Sequence, residues 1–280
     1  MLSEHRVKGD LHPDEQIWEA VGYWILDGNG SVHNYGEAIN YGGSTVPQAP
    51  AGMVPFPAGQ GYWIIDDVGN IGGYGDAPFM GQPSFDCPDD RCTAAIVTPG
   101  FLELGYIVLD TKGGIHIYDP RQPDYGHPDF EDCDMVHDVV STCASDISIN
   151  DEQGSYYIVQ YDGRVWAFGP SATWAGDYSC PPDRPACVSS IAAPVASFGY
   201  YVLDENGDLG LFGGATDHGH PTLECDAPDW VCAIDIILTP SGHGYWILGS
   251  DGTVHCYGDA ERFGKYSGPH GAVAMAVSLL

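Results

Sequence analysis

The 280-residue chain is 44% hydrophobic and carries 39 Asp and Glu residues against 9 Lys and Arg, which gives a formal net charge of -30. A surface with this field repels phosphate backbones and anionic lipid headgroups, which argues against nucleic acid as a partner. No stretch approaches the ~18 uninterrupted apolar residues of a membrane-spanning helix, so we expect no membrane insertion.

The first 20 residues differ from the rest of the chain. They contain no apolar core of the length that a signal peptide needs, and they precede the first repeat described below. We therefore expect an N-terminal arm over residues 1–20 and a single repeat domain over residues 21–280.

An aromatic motif recurs six times after the arm. Its copies are Gly22–Ile25, Gly61–Ile64, Gly105–Val108, Ser155–Ile158, Gly199–Val202 and Gly244–Ile247. A repeat of roughly 45 residues is typical of propellers and solenoids. Because the motif is rich in aromatic and β-branched residues, each copy is predicted to be a strand.

Each predicted strand leads into a hairpin turn. Turn chemistry is clear at Asp27–Gly30, Asp110–Gly113, Asp204–Gly207 and Ser250–Gly252. A third strand precedes the hairpins, as in residues 94–99, 146–149 and 234–240. Each copy is thus expected to form three strands centred on a hairpin.

The last apolar run of the chain, Ala272–Val277, has no hairpin after it. We predict that it pairs beside Tyr23–Asp27 and so joins the two ends of the array, which removes the exposed edges of an open structure. Residues 17–21 are a rival for the same position. The fold predicted from the sequence is an all-β, six-bladed β-propeller whose ring is closed by pairing of its N- and C-terminal segments.

Eight of the nine cysteines form four close pairs. These pairs are Cys87 and Cys92, Cys133 and Cys143, Cys180 and Cys187, and Cys225 and Cys232. Their variable spacing, the Pro- and Asp-rich residues around them and the absence of any C-x-x-C favour four local disulfides over zinc sites. Reduced thiols and metal sites remain alternatives. Cys256 is predicted to be a buried free thiol.

The succession Gly-Tyr-Trp-Ile, Asp-Gly-x-Val and Tyr/Phe-Gly-Asp-Ala resembles the repeats of secreted and cell-surface propeller domains of actinobacteria and of the phages that infect them. The resemblance covers about residues 21–280 and is closest in copies one, two and six, for example at Tyr74–Ala77 and Tyr257–Ala260. It implies a propeller fold and an extracellular or surface setting. It implies no shared catalytic residues.

No catalytic or metal motif stands out. Adjacent carboxylates arise by chance among 39 acids, and glycoside hydrolysis needs two at a set distance. The Asp-rich turns could coordinate Ca²⁺, yet none matches the twelve-residue calcium loop, and turn geometry explains them. The closest metal pair, His218 and His220, lacks a third ligand. We expect a protein that is not an enzyme and has no cofactor, with Ca²⁺ left open.

Most aromatic residues occupy the repeat's own strand positions, so Trp24, Trp63 and Trp246 are predicted to be core. Four others fall on segments between the repeats: Tyr41, Trp174, Tyr178 and Trp230. Aromatic side chains of this kind stack on sugar rings or anchor protein interfaces, and these four are the predicted contact surface.

These observations favour a non-catalytic binding or structural module that acts outside the cell or on a virion surface, as a phage virion or tail component engaged in receptor binding, adhesion or particle decoration. Its expected partner is a protein assembly or a cell-surface glycan. One alternative is a secreted carbohydrate-active enzyme with acidic residues at the central channel. Another is a cell-surface adhesion domain released from a longer precursor.

Overall fold

The computed structural model describes residues 19–56, 60–85, 91–99, 104–130, 133, 142–150, 154–195, 198–223 and 232–279. The described residues contain eighteen β-strands, arranged in six three-stranded antiparallel sheets. The all-β prediction is therefore confirmed. Most of the expected N-terminal arm, residues 1–18, lies outside the described residues.

Each sheet has an inner, a middle and an outer strand. The inner strands are β3 (Pro50–Pro55), β6 (Thr93–Val97), β9 (Ala144–Ile149), β12 (Val188–Ala192), β15 (Ala233–Leu238) and β18 (Ala272–Leu279). The middle strands are β1 (Ala20–Asp27), β4 (Gly61–Asp66), β7 (Ile107–Asp110), β10 (Tyr156–Gln160), β13 (Gly199–Asp204) and β16 (Gly244–Gly249). The outer strands are β2 (Val32–Gly36), β5 (Ile71–Gly75), β8 (Ile115–Ile117), β11 (Val165–Phe168), β14 (Leu209–Gly213) and β17 (Val254–Gly258).

Sheet 1 takes its inner strand from the far end of the sequence. It has the order β18-β1-β2, whereas sheets 2 to 6 each use three consecutive strands, from β3–β5 through β15–β17. Tyr23 pairs with Val277 and Ile25 with Met275, which confirms the predicted pairing of the two ends. The rival prediction for residues 17–21 is wrong for Ala20 and Val21, because both belong to β1 itself. Residues 17 and 18 lie outside the described residues.

The inner strands contact one another in cyclic order, from β18 to β3, β6, β9, β12, β15 and back to β18. Contacts between neighbouring sheets therefore continue through sheet 6 to sheet 1. Apolar side chains fill the space between neighbouring sheets, and the cluster that joins sheets 6 and 1 contains Tyr23, Trp246 and Met275.

The predicted hairpin turns are confirmed between the middle and outer strands. In the first turn, one carboxylate oxygen of Asp27 accepts the backbone N–H groups of Asn29 and Ser31 at 3.0 and 2.9 Å, and Gly30 adopts a φ of 81°. Asp66, Asp110 and Asp204 hold their turns in the same way. These carboxylates are used to order the backbone, as the turn interpretation expects.

A buried tyrosine near the start of each middle strand holds the segment that links its sheet to the preceding one. The hydroxyl of Tyr62 accepts the N–H of Tyr41 at 3.1 Å and donates to the carbonyl of Gly42 at 2.5 Å. Burial raises the pKa of Tyr62 to about 12, so the hydroxyl keeps the proton that it donates. We call this arrangement the tyrosine clamp.

All six junctions have a tyrosine clamp. The other pairs are Tyr106 with Gly81, Tyr156 with Gly126, Tyr200 with Gly176, Tyr245 with Gly219, and Tyr23 with Gly264. The last pair joins sheets 6 and 1 in the same way as the others join neighbouring sheets. The tyrosine of the Gly-Tyr-Trp motif is thus the residue that ties each sheet to the one before it.

Trp24, Trp63 and Trp246 lie in the core, as predicted, with at most 1% of their surface exposed. Each indole N–H donates at 2.7 Å to a carbonyl fifteen residues along, on the linker that follows the sheet. Tyr157 and Tyr201 donate to their linkers in the same way. The second aromatic of the motif therefore pins the linker that leaves each of these sheets.

A chain of backbone hydrogen bonds joins the sheets on the side where the hairpin turns lie. The N–H of Thr111 donates to Cys92 at the start of its own sheet, and its carbonyl accepts the N–H of Ala144 from the next sheet. Asp67, Tyr161, Glu205 and Ser250 connect their sheets to the next in the same way. We call this the turn-side relay.

Disulfides lie directly beside the turn-side relay. The predicted Cys133–Cys143 and Cys180–Cys187 bridges are confirmed, and Cys92 and Cys232 are also disulfide-bonded. Their expected partners, Cys87 and Cys225, lie outside the described residues, so those two pairings stay predictions. Four inner strands thus begin immediately after a bonded cysteine.

Replacing both Cys180 and Cys187 with serine should lower the free energy of unfolding by about 2 to 4 kcal/mol, because the unfolded chain loses a closed loop. Chemical denaturation of the oxidised protein and of the double variant measures the difference. Non-reducing peptide mapping should recover all four pairs within single peptides. A mixed pattern, such as Cys92 joined to Cys133, would contradict the local pairing.

Cys256 lies in β17 and forms no disulfide. The prediction of a buried thiol is wrong, because Cys256 is half-buried. Most residues of the outer strand β17 are partly exposed to solvent. Burial raises the pKa of its thiol, so the less reactive protonated form is favoured at neutral pH.

Candidate functional site

The inner strands of all six sheets line one cavity of about 340 Å³. Small-molecule sites in proteins range from roughly 300 to 1,000 Å³. The walls are largely apolar and include Val54, Ile147 and Met275, with serine and aspartate side chains among them. We call this space the central cavity.

The strand registers place six residues at one level of the central cavity. They are Gly52, Ala95, Asp146, Ser190, Asp235 and Ala274, each paired with the penultimate residue of its middle strand, which is the last apolar residue of that strand. The polar residues belong to sheets 4, 5 and 6, and the small ones to sheets 1, 2 and 3. This level of the cavity therefore has a polar half and a small-residue half.

Asp146 joins sheet 4 to sheet 5. One carboxylate oxygen accepts the Ser190 hydroxyl at 2.7 Å and the N–H of Ile191 at 2.9 Å. The other accepts the N–H of Ile147 at 2.8 Å. All three donors lie on inner strands. The carboxylate therefore accepts two backbone N–H groups that point away from the middle strand of their own sheet.

Asp235 repeats this role two sheets further along, between sheets 6 and 1. Its carboxyl group is hydrogen-bonded to the backbone of Ile236 and of Met275, which lies in sheet 1. The Ser190 hydroxyl lies 3.4 Å from its Oδ1. The polar half of the cavity is thus a connected chain, Asp146–Ser190–Asp235, which we call the carboxyl chain.

Burial raises the pKa of both carboxyl groups, because a surrounding wall of protein disfavours the charged form. The pKa of Asp146 is raised to about 6. That of Asp235 is raised to about 7, with the nearby negative charge of Asp146 as the second cause. Both side chains keep an intermediate exposure through the cavity that they line.

The carboxyl chain follows from the edge position of the inner strands. An inner strand pairs on one side only, so alternate amides point into the cavity and need an acceptor. In sheets 4 to 6 the acceptors are Asp146, Ser190 and Asp235. Gly52 and Ala95 have no acceptor group in their side chains. By register, the backbone N–H groups of Met53 and Ile96 are therefore the donors that an acceptor group of a ligand could approach.

A second acidic group lies on the turn side. Burial raises the pKa of Glu205 to about 7, although the Arg184 guanidinium acts in the opposite direction. Burial also raises the pKa of Tyr161, and the charges of Glu205 and Asp146 add to that effect. The charges of Glu205 and of Asp146 in the carboxyl chain therefore both act on Tyr161.

Three of the four aromatic residues predicted as a contact surface are described, and they are not brought together into one surface. Trp174 is 55% exposed, and its indole N–H donates to Asp177 at 3.1 Å. Tyr41 is half-buried against the clamp residue Tyr62, and Tyr178 is half-buried with its hydroxyl 3.2 Å from Asp204. Tyr41 follows sheet 1, whereas Trp174 and Tyr178 follow sheet 4. Trp230 lies outside the described residues.

Phe79 is an exposed aromatic that is not among the four predicted contact residues. It follows Pro78, whose carbonyl accepts the Trp63 indole, and Trp174 follows Thr173, which accepts the Tyr157 hydroxyl. Phe79 is 60% exposed, similar to Trp174. Aligning the linkers from their motifs, rather than counting aromatics outside the strands, would have shown that the two positions are equivalent.

Among the described residues, no group of three or more His, Cys, Asp and Glu side chains is placed to hold a metal ion. His218 is half-buried, and its ring packs against Tyr245 with centroids 5.7 Å apart. A helix with the length and hydropathy of a membrane span is absent from the part of the chain that the structure describes.

Comparison with known proteins gives no family. No family model matches the chain, and no curated protein matches it. Among solved structures, one described as the structure of U3-55K is similar over 90% of this chain and 76% of its own, with a TM-score of 0.51 and 12% sequence identity. At that identity the similarity concerns the fold alone.

Proposed function

We propose that the six sheets are the blades of a six-bladed β-propeller and that the protein is a rigid, non-catalytic binding or structural module that acts outside the cell. The cyclic contacts of the inner strands and the six equivalent tyrosine clamps support the propeller. The disulfides support an oxidising location. The partner is a virion or tail assembly, or a cell-surface glycan.

The observation that carries this proposal is the pair of exposed aromatic side chains at equivalent linker positions, Phe79 and Trp174. Both linkers are held at two points, by the motif aromatic of their own sheet and by the clamp tyrosine of the next. A rigid aromatic side chain loses little entropy on binding, which suits stacking on a sugar ring or burial in an interface.

Fractionation of the native source into particles, culture medium, cell wall and cytosol tests the location. Enrichment in particles at fixed copy number supports a structural component, and enrichment in medium or wall supports glycan or surface binding. A cytosolic protein would contradict the proposal in either form.

The contact residues are tested in the fraction where the protein is found. The double variant Phe79→Ala, Trp174→Ala should weaken association with particle or wall at least tenfold, because it removes both exposed rings. Phe198→Ala is the matched control, since Phe198 is 52% exposed on a different loop. Equal binding by both variants would remove the linker aromatics from the contact surface.

A second candidate function is a carbohydrate-active enzyme. The observation that favours it is that Asp146 and Asp235, both with raised pKa, contact one serine hydroxyl in the central cavity. Paired carboxyl groups with different proton affinities are the arrangement that glycoside hydrolysis uses. A hydrolysis and lyase screen on cell-wall glycans tests this function. Activity that survives in Asp146→Asn and Asp235→Asn would contradict an enzyme that uses these acids.

A further inference from the structure

The carboxyl chain has two carboxyl groups next to a single hydroxyl hydrogen. The Ser190 hydroxyl lies 2.7 Å from Asp146 and 3.4 Å from Asp235, yet a serine hydroxyl has one hydrogen and can donate to only one of them. Both carboxyl groups accept two backbone amides, so the distances decide, and the shorter contact assigns that hydrogen to Asp146. The contact between Ser190 and Asp235 is then a hydrogen bond only if Asp235 supplies the hydrogen.

We propose that Asp235 is protonated in mildly acidic solution and donates to Ser190, which donates to Asp146, so that one retained proton links the inner strands of sheets 4, 5 and 6. Loss of that proton leaves two carboxylates facing one hydroxyl. The contact between sheets 5 and 6 then becomes repulsive, and the propeller has a pH-sensitive joint at one side of its central cavity.

Few other titratable groups act on the carboxyl chain. The inner strands β3, β6, β12 and β18 contain no titratable residue. Asp146 acts on Asp235, and Tyr161, which follows β10, is close enough to Asp146 to feel its charge. The charges of Glu205 and Arg91 act on Tyr161 in turn. The raised pKa of Asp235, about 7 and the higher of the two aspartates, agrees with the hydrogen count.

The sign of the pH effect follows from the direction of the shift. The folded state holds a proton on Asp235 up to about pH 7, whereas the unfolded chain releases it near 3.8. Between those values the folded state binds more protons than the unfolded state, so this contribution to stability decreases as pH rises. Above about pH 7 the carboxylate is charged in both states and the loss is complete.

The direct test is the ¹³C NMR signal of the Asp235 carboxyl carbon in the full-length protein between pH 4 and 9, assigned with Asp235→Asn. We expect the shift of a protonated carboxyl group at pH 6 and titration near pH 7. A carboxyl group that is already ionised at pH 5 overturns the proposal. The titration is followed in the unaltered protein, and Asp235→Asn serves only to assign the signal.

The second test compares variants by chemical denaturation at pH 5 and pH 8. The side-chain amide of asparagine can donate to Ser190 at any pH. The variant Asp235→Asn should therefore not lose this contribution to stability as the pH rises. The control is Asp183→Asn, at an exposed aspartate in the Cys180–Cys187 loop. The folding constant of Asp235→Asn relative to this control should increase at least tenfold from pH 5 to pH 8. An unchanged ratio would overturn the pH-sensitive joint even if Asp235 proves to be protonated.

Discussion

Ending the chain after Gly271 is expected to abolish cooperative folding, because it removes β18 and leaves sheet 1 without its inner strand. Met275, Val277 and Leu279 are buried in the cluster between sheets 6 and 1. Full burial of such side chains contributes roughly 1.5 to 3 kcal/mol each, and a whole domain is stable by about 5 to 15 kcal/mol. The loss is therefore of the order of the total stability.

The truncated chain also exposes the free edge of β1, which invites pairing with other chains. We expect loss of the thermal unfolding transition by circular dichroism and growth of aggregates by light scattering. A synthetic peptide of residues 268–280 should restore the transition, whereas the same peptide with Val277→Asp should not. A truncated chain that melts cooperatively without peptide would show that β18 is dispensable.

Trp63→Ala should lower the free energy of unfolding by about 4 kcal/mol, in the range measured for large aromatic residues in cores. Trp63 is fully buried, and its ring meets Phe56 and Tyr106 edge to face at centroid distances of 5.2 and 5.1 Å. The substitution also removes the indole N–H that donates to Pro78 at 2.7 Å. The cavity and the orphaned carbonyl therefore act together.

Trp174→Ala is the matched control for this prediction. The same substitution at a residue that is 55% exposed should change the free energy of unfolding by no more than about 0.5 kcal/mol. Urea denaturation of the two variants beside the parent protein measures both effects. Equal losses at the two positions would mean that the aromatic of the Gly-Tyr-Trp motif has no special role in stability.

The strands were predictable because each Gly-Tyr-Trp copy combines a β-rich run with a turn of recognisable chemistry. The pairing of Ala272–Leu279 with β1 was predictable for a related reason, since that run has the character of an inner strand and no hairpin of its own. The role of the motif tyrosine was not predictable. Its hydroxyl contacts a linker of the preceding repeat, for example Tyr62 with Gly42, and that contact depends on how two sheets pack.

The carboxyl chain could be found in the sequence only by aligning the inner strands. Asp146 and Asp235 interrupt apolar runs at equivalent positions, but they lie 89 residues apart in a chain with 39 acids. Their proximity arises because sheets 4 and 6 lie on either side of sheet 5. The packing of two predicted contact residues depends on the fold in the same way. Tyr41 and Tyr178 lie outside the strands, yet each packs back against the core.

The offset by one strand in sheet 1 bears on how the chain folds during synthesis. Sheets 2 to 6 can each form once three consecutive strands have left the ribosome, but β1 and β2 must wait for β18, more than 230 residues later. This pairing gives the native topology its longest loop closure, and closures of high sequence separation slow folding. A circular permutant that begins just before β18 would make all six sheets local in sequence, and it should refold faster than the natural order while keeping the same contacts.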